Sequence, residues 1–306
     1  MDHDAPAPDG DAGSDAGDTS DGGPGGNGDA AMDAEARAPS CKPSGPFETV
    51  ELLPGLEDLG EVWSVRPERY DAGDGITYAM AAIDAGPGTY FDLKEGPLAG
   101  PYYSSLATGR GERSPALLDD GLHLYFEADE SDGGRVIVAT ARDSFGQNFT
   151  GSAQTIEPLP LPMGVLPSEP WSVAGKDVVY FTISPGTSTT RDIFRAEKKI
   201  SGWELAPESA LATTEDEGFP VVTDDELVMY FARTVSSKTA VYYVTRKTKT
   251  DAWTLPPTAI SDTRVDDGAS DSYPTWVSPD GCTFFFVSNR AGGIMRAYRV
   301  VVSLSP

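Results

Sequence analysis

Tyr273-Pro274-Thr275-Trp276-Val277-Ser278-Pro279-Asp280-Gly281, then Thr283-Phe284-Phe285-Phe286-Val287-Ser288, reads as two strands and the turn between them. Both runs are rich in the aromatic and β-branched side chains that favour strands. Pro279 presets φ, Asp280 caps the turn through its side chain, and Gly281 takes the positive φ that ends it.

The same features recur upstream at a fixed period. The aromatic doublet Phe285-Phe286 has counterparts in Tyr230-Phe231, Tyr180-Phe181 and Tyr125-Phe126, spaced 55, 50 and 55 residues apart. Pro274 has counterparts in Pro220, Pro170 and Pro115, about ten residues before each doublet. An aromatic follows late in the unit at Phe149, Trp203 and Trp253. Three anchors in one order at one period mark internal repeats. An earlier unit lacks the proline. Its Glu61-Val62-Trp63-Ser64-Val65 reappears 108 residues on as Glu169-Pro170-Trp171-Ser172-Val173, and Tyr78 stands where the doublet belongs. Five units follow, with inner strands starting near residues 62, 115, 170, 220 and 274. Asp119-Asp120-Gly121 supplies the inner turn of the second unit. Thr223-Asp224-Asp225-Glu226 in the fourth lacks a glycine, so a looser hairpin is expected there.

No stretch holds a helical period over three turns, so almost no helix is expected. Each unit reads as four strands. The last unit ends after a third, Met295–Val302, while Glu48–Leu53 stands alone before the first. An unpaired sheet edge is an aggregation hazard that closure removes. Strand 48–53 is therefore expected to complete the fifth blade. Residues 48–306 divide into five units of about 52.

The run Tyr273–Gly281, with Phe284–Arg290 and Gly292-Gly293, resembles the TolB-type, WD-repeat-like β-propeller repeat. The resemblance covers about residues 48–306 and implies a propeller. It does not extend to TolB function, because no TolB N-terminal domain is visible and a fold does not fix a function. A kelch-type propeller predicts a Gly-Gly pair in most blades, and only Gly133-Gly134 and Gly292-Gly293 occur in the expected region. The fold expected is all-β: a five-bladed β-propeller with four-stranded antiparallel blades over residues 41–306, closed by strand 48–53.

Residues 1–40 differ in texture. They hold ten Asp/Glu and one Arg, eight Gly and nine Ala, and no aromatic, Leu, Ile or Val. Such a segment buries too little apolar surface to offset its ordering entropy, so a disordered acidic spacer is expected. No EF-hand spacing accompanies its aspartates. Met1-Asp2-His3-Asp4 offers neither the basic nor the apolar region of a secretory signal. The composition nonetheless resembles the spacer after the lipid-attachment site of some bacterial surface lipoproteins. That implies a signal upstream of the first residue given, and a lipid anchor.

The chain of 306 residues carries 23 basic and 48 acidic side chains, a net charge of −25. This excludes a nucleic-acid binder that works by phosphate neutralisation. No apolar run is long enough to span a membrane. Two cysteines and two histidines exclude a cysteine-rich zinc cluster and disfavour a multi-histidine metal site. No metal or other cofactor is expected. Cys41 lies just before the closing strand, and Cys282 lies in the blade that strand completes. A disulfide between them is expected, which would favour an oxidising compartment such as the periplasm or cell surface.

No serine-hydrolase, zincin or phosphate-loop motif is present. His123 lies within a strand without a nucleophile and acid around it, and reads as structural. The loops entering the inner strands are rich in carboxylates: Glu57, Asp58, Glu61, Glu112, Glu169, Glu215, Asp216, Glu217, Asp266, Asp267 and Asp271. Arg110, Arg113 and Arg264 are mixed among them. Glu61 and Glu169 hold equivalent places two units apart. A pair of carboxylates across a mouth suits glycosidase acid/base work. The five-bladed arabinanase-like glycosidases that use such a ring have acids on three successive blades, however, and Ser114 stands in the equivalent place here. Trp63, Trp171, Tyr273 and Trp276 offer either a stacking surface or packing between blades. Asn148-Phe149-Thr150 matches a glycosylation acceptor. The candidate binding residues at the mouth are Glu61, Trp63, Arg113, Glu169, Trp171, Asp271 and Tyr273. The function expected is non-enzymatic binding of a protein or glycan partner at the cell envelope, with a carbohydrate-active hydrolase as the alternative.

Overall fold

A computed structural model describes residues 41–302, apart from 57–59, 72–74, 85–90, 98–102, 105, 107–110, 119–121, 131–133, 145–148, 150–153, 156–160, 162–164, 174–176 and 186–189. The acidic segment 1–40 and the acceptor Asn148 lie outside the described residues.

The described residues contain no helix, and their strands form five four-stranded antiparallel sheets. A short strand, β1 (Glu51–Leu52), comes first. The first sheet is β2 (Glu61–Asp71), β3 (Gly75–Asp84), β4 (Phe91–Pro97) and β5 (Tyr103–Ser104). The second is β6 (Glu112–Leu117), β7 (His123–Asp129), β8 (Arg135–Ala141) and β9 (Gln154–Thr155). The third is β10 (Val165–Ser172), β11 (Val178–Pro185), β12 (Asp192–Lys199) and β13 (Gly202–Pro207). The fourth is β14 (Asp216–Val222), β15 (Val228–Val235), β16 (Lys238–Thr245) and β17 (Thr258–Ala259). The fifth is β18 (Ser272–Val277), β19 (Thr283–Ser288), β20 (Arg296–Val301) and, on its outer edge, β1. The first strands β2, β6, β10, β14 and β18 each touch the next, and β18 touches β2. This is a β-propeller arrangement.

The aromatic doublets earn their period by packing between sheets. All six residues of β19 are buried, because the sheet has a neighbour on each face. Phe285 meets Trp276 at 5.3 Å, while Phe286 stacks on Tyr298 at 5.4 Å. The first member of a doublet faces the following sheet. Tyr230 packs on Phe284 at 4.9 Å, and the Tyr180 hydroxyl donates to Glu226 at 3.0 Å.

The recurring proline marks a β-bulge. Register shifts fall between Arg113 and Ala116, Ser168 and Trp171, and Gly218 and Val221. In each, the residue before the proline takes a positive φ: Ser114 at 50°, Glu169 at 55° and Phe219 at 54°. A bulge tolerates proline, which cannot donate to the ladder, and it re-aims the preceding side chain.

Closure rests on chain ends far apart in sequence. Glu51 pairs with Arg299 and Leu52 with Tyr298. Phe47 bridges Val302, the Glu48 amide donates to the Val301 carbonyl at 2.7 Å, and the Leu53 amide donates to Ala297 at 2.9 Å. The regular strand is shorter than the expected 48–53, covering Glu51–Leu52, with isolated contacts on either side. Cys41 and Cys282 form a disulfide beside this seam, with Cα atoms 5.2 Å apart and a sequence separation of 241.

The turn at Thr223–Glu226 corrects the expectation of a looser hairpin. The Thr223 hydroxyl bonds Asp225 at 2.6 Å, and the Leu227 amide donates to Asp225 at 2.9 Å. Glu226 itself takes the left-handed conformation, φ 58°, where glycine was missing. The strain is held because the Glu226 carboxylate is buried and accepts from Tyr180 and Arg195.

Candidate functional site

The bulged first strands of the sheets line a small cavity. Pro115, Pro170, Pro220 and Pro274 line it, with Ser64, Ser114, Glu169, Phe219 and Thr275 between them. Its volume is about 20 Å³, room for a water molecule and far below that of a sugar ring.

Several carboxylates at the strand-entry end of the sheets are engaged by the chain itself. Glu169, on the β10 bulge, is buried. It bonds Arg191 and accepts from the Thr182 hydroxyl at 3.0 Å and from the Phe219 amide at 2.7 Å. Arg191 continues to Asp216 of the next sheet through two side-chain bonds of 2.9 and 2.7 Å. Burial weakens the Arg191 cation, but Glu169 and Asp216 outweigh it and hold its pKa above the ordinary guanidinium value. Gly218 lies so close that a Cβ there would sit 2.7 Å from a Glu169 oxygen.

A second cluster adjoins the first. Glu127 is buried on β7 and accepts from the Glu169 amide at 3.3 Å. Arg113 and Arg135 each approach it at 3.3 Å. Arg113 also grips Asp129 through bonds of 2.6 and 2.9 Å. Burial raises the Glu127 pKa, and Glu169 adds to the rise while Arg135 and Arg113 oppose it. Glu217, on the fourth sheet, is likewise buried, raised by that burial, and paired with Arg233 at 3.0 Å.

The expected site residues divide into two groups. Glu169 and Arg113 belong to these clusters. Asp271 accepts from the Thr239 amide of the fourth sheet at 2.8 Å, and its own amide donates to Asn289 at 2.9 Å. Trp171 is buried, donates its indole N–H to the Val222 carbonyl at 3.0 Å, and lies under the Arg66 guanidinium at 3.9 Å. It packs between sheets. Trp63 and Tyr273 are half-buried, with ring centroids 6.3 Å apart, and Phe219 lies 4.8 Å from Tyr273. Phe219 was not singled out from the sequence, although its place before a repeat proline was a usable signal. Glu61 is half-buried at the start of β2 and takes no part in these contacts. Its sequence equivalence to Glu169 does not extend to its surroundings. Among the described residues no three His, Cys, Asp or Glu side chains are grouped as a metal site.

A shared fold is visible in solved structures. A thermostable family-43 glycoside hydrolase matches with a TM-score of 0.53 and 14% identity, over 85% of this chain and 98% of that one. The fold is a β-propeller. A protein assigned as TolB from Agrobacterium tumefaciens matches with a TM-score of 0.46 and 17% identity, over 76% of this chain and 70% of that one. TolB from Acinetobacter baumannii matches with a TM-score of 0.42 and 12% identity; 73% of this chain is covered, which spans about half the length of that protein, 51%. At these identities the likeness concerns the fold and not the chemistry. No protein-family model and no curated protein matches the sequence.

Proposed function

We propose that the five sheets act as the blades of one closed ring, and that the protein is a non-enzymatic binding or scaffold module. It presents the strand-entry end, with the half-buried Trp63, Tyr273 and Phe219, to a protein partner. One observation carries this reading. Glu127, Glu169 and Glu217 are each spent on an arginine of the same chain, and the cavity that Glu169 lines is small, about 20 Å³. A glycosidase needs one carboxyl free to protonate a leaving group and a second facing the sugar. The Cys41–Cys282 disulfide supports work outside the cytoplasm.

The test pairs two assays. A panel of chromogenic aryl glycosides is expected to show no turnover. Photo-crosslinking residues placed at Trp63 and Tyr273 are expected to capture one partner from an envelope extract, and to lose it when the other aromatic is changed to alanine. Glycoside turnover abolished by Glu169→Gln would overturn the reading in favour of the hydrolase.

A further inference from the structure

The opposite end of the ring carries a different surface. In the third sheet, Val178 pairs with Glu197 and Lys199 with Gly202, so the β10–β11 and β12–β13 turns share one end. In the fourth, Val228 pairs with Thr245, which brings the β16–β17 connection to the corresponding end. Cys282, in the β18–β19 turn, shares that end in the fifth.

Ile200 stands at the tip of the β12–β13 turn, and its relative exposure is 111%, as open as an isolated residue. Lys198 and Lys199 precede it, both exposed. The next sheet's connection carries exposed Lys247 and Lys249, with Leu255 exposed in the same segment. The chain has eight lysines, and four fall in these two connections. Lys199 is paired with Glu197, but Lys198, Lys247 and Lys249 make no ion pair among the described residues. Of the acids at this end, Asp225 caps its own turn and Glu226 is buried against Tyr180 and two arginines, while Asp177 and Asp251 are exposed.

We propose that this end docks on an anionic phospholipid surface. An exposed aliphatic side chain beside free ammonium groups matches an interface, where apolar tips enter the headgroup boundary and lysines meet lipid phosphates. Lysine stems add apolar contact while their heads stay hydrated. Two such connections on successive sheets give a two-point footing, which one loop does not. The chain as a whole, at a net charge of −25, is repelled by an anionic bilayer, so adhesion must be local to this end. The inference is independent of the partner reading for the opposite end.

Vesicle flotation of the full chain tests it, using phosphatidylcholine alone and phosphatidylcholine mixed with phosphatidylglycerol. Binding is expected to the mixed vesicles only, and to weaken at high salt. The triple change Lys198→Gln, Lys247→Gln, Lys249→Gln is expected to weaken binding at least about tenfold. Ile200→Ser alone is expected to weaken it several-fold. These turn variants should retain the parent's thermal transition, which is checked alongside. Failure of the full chain to bind mixed vesicles overturns the proposal, as does binding that neither variant alters. Loss with the lysine changes but not with Ile200→Ser also overturns it, and points to a soluble acidic partner instead.

Discussion

Arg191 of the third sheet clasps Asp216 of the fourth through its amide, at 2.8 Å, and its guanidinium, at 2.9 and 2.7 Å. The arrangement recurs around the entry end of the ring. Lys238 of the fourth sheet reaches Asp266 before the fifth at 3.0 Å, and Arg296 of the fifth bonds the Gly60 carbonyl before the first. A cation at the start of a third strand thus holds the entry to the next sheet. Charges that resemble a ligand site in sequence are used to bolt neighbouring sheets together.

Arg191→Met is therefore expected to destabilise the protein by about 3 kcal/mol, the lower end for breaking a buried pair, because the guanidinium retains some exposure. It leaves the buried Glu169 carboxylate without its cation. Urea unfolding checks this; a change under about 0.5 kcal/mol would show that the clasp is ornamental.

Gly218→Ala should also destabilise, by about 1–3 kcal/mol. The new Cβ would meet Glu169 Oε2 at 2.7 Å and Arg191 Cζ at 3.0 Å, and both atoms are pinned by the contacts described. Thermal unfolding of this variant beside Ala210→Gly, on a half-buried connection, separates crowding from backbone entropy.

The seam gives two linked expectations. Denatured protein purified without reductant should show no free thiol, and Cys41→Ser or Cys282→Ser should cost about 2–5 kcal/mol. Deleting residues 1–40 should leave the association state unchanged. Deleting residues 1–53 removes β1 and uncovers the β20 edge, so self-association is expected. Light scattering distinguishes the two deletions.

Two glutamates predict opposite pH dependences. Burial raises Glu208, although the Trp253 indole bonds its carboxylate at 2.9 Å. Its contribution is present below the ordinary value of 4.5 and lost as pH rises through the raised one. Glu208→Gln should be neutral near about pH 4 and stabilising by up to about 1 kcal/mol near pH 8. Glu197 is held at about 2 by hydrogen bonds from Lys199 and Arg195. Its contribution is present above 4.5 and lost as pH falls toward 2. Glu197→Gln should cost less than about 1 kcal/mol at neutral pH, since the pair is partly solvated, and progressively less as pH falls through about 2. Urea midpoints across pH check both.

Periodicity alone located the five strand groups, because residues such as Tyr180 and Tyr230 must meet a neighbouring sheet, and that demand repeats in sequence. It also located the closing segment and the cysteine pair, since an odd strand at each end has one way to satisfy its edge. It could not assign the carboxylates. Glu61 and Glu169 occupy matching places in the repeat, yet one is half-buried and the other buried against Arg191. The difference lies in Arg191 and Phe219, which arrive from other strands and a neighbouring sheet. Repeats record what each unit needs for itself; which charges face one another across sheets is decided only when the sheets pack against one another.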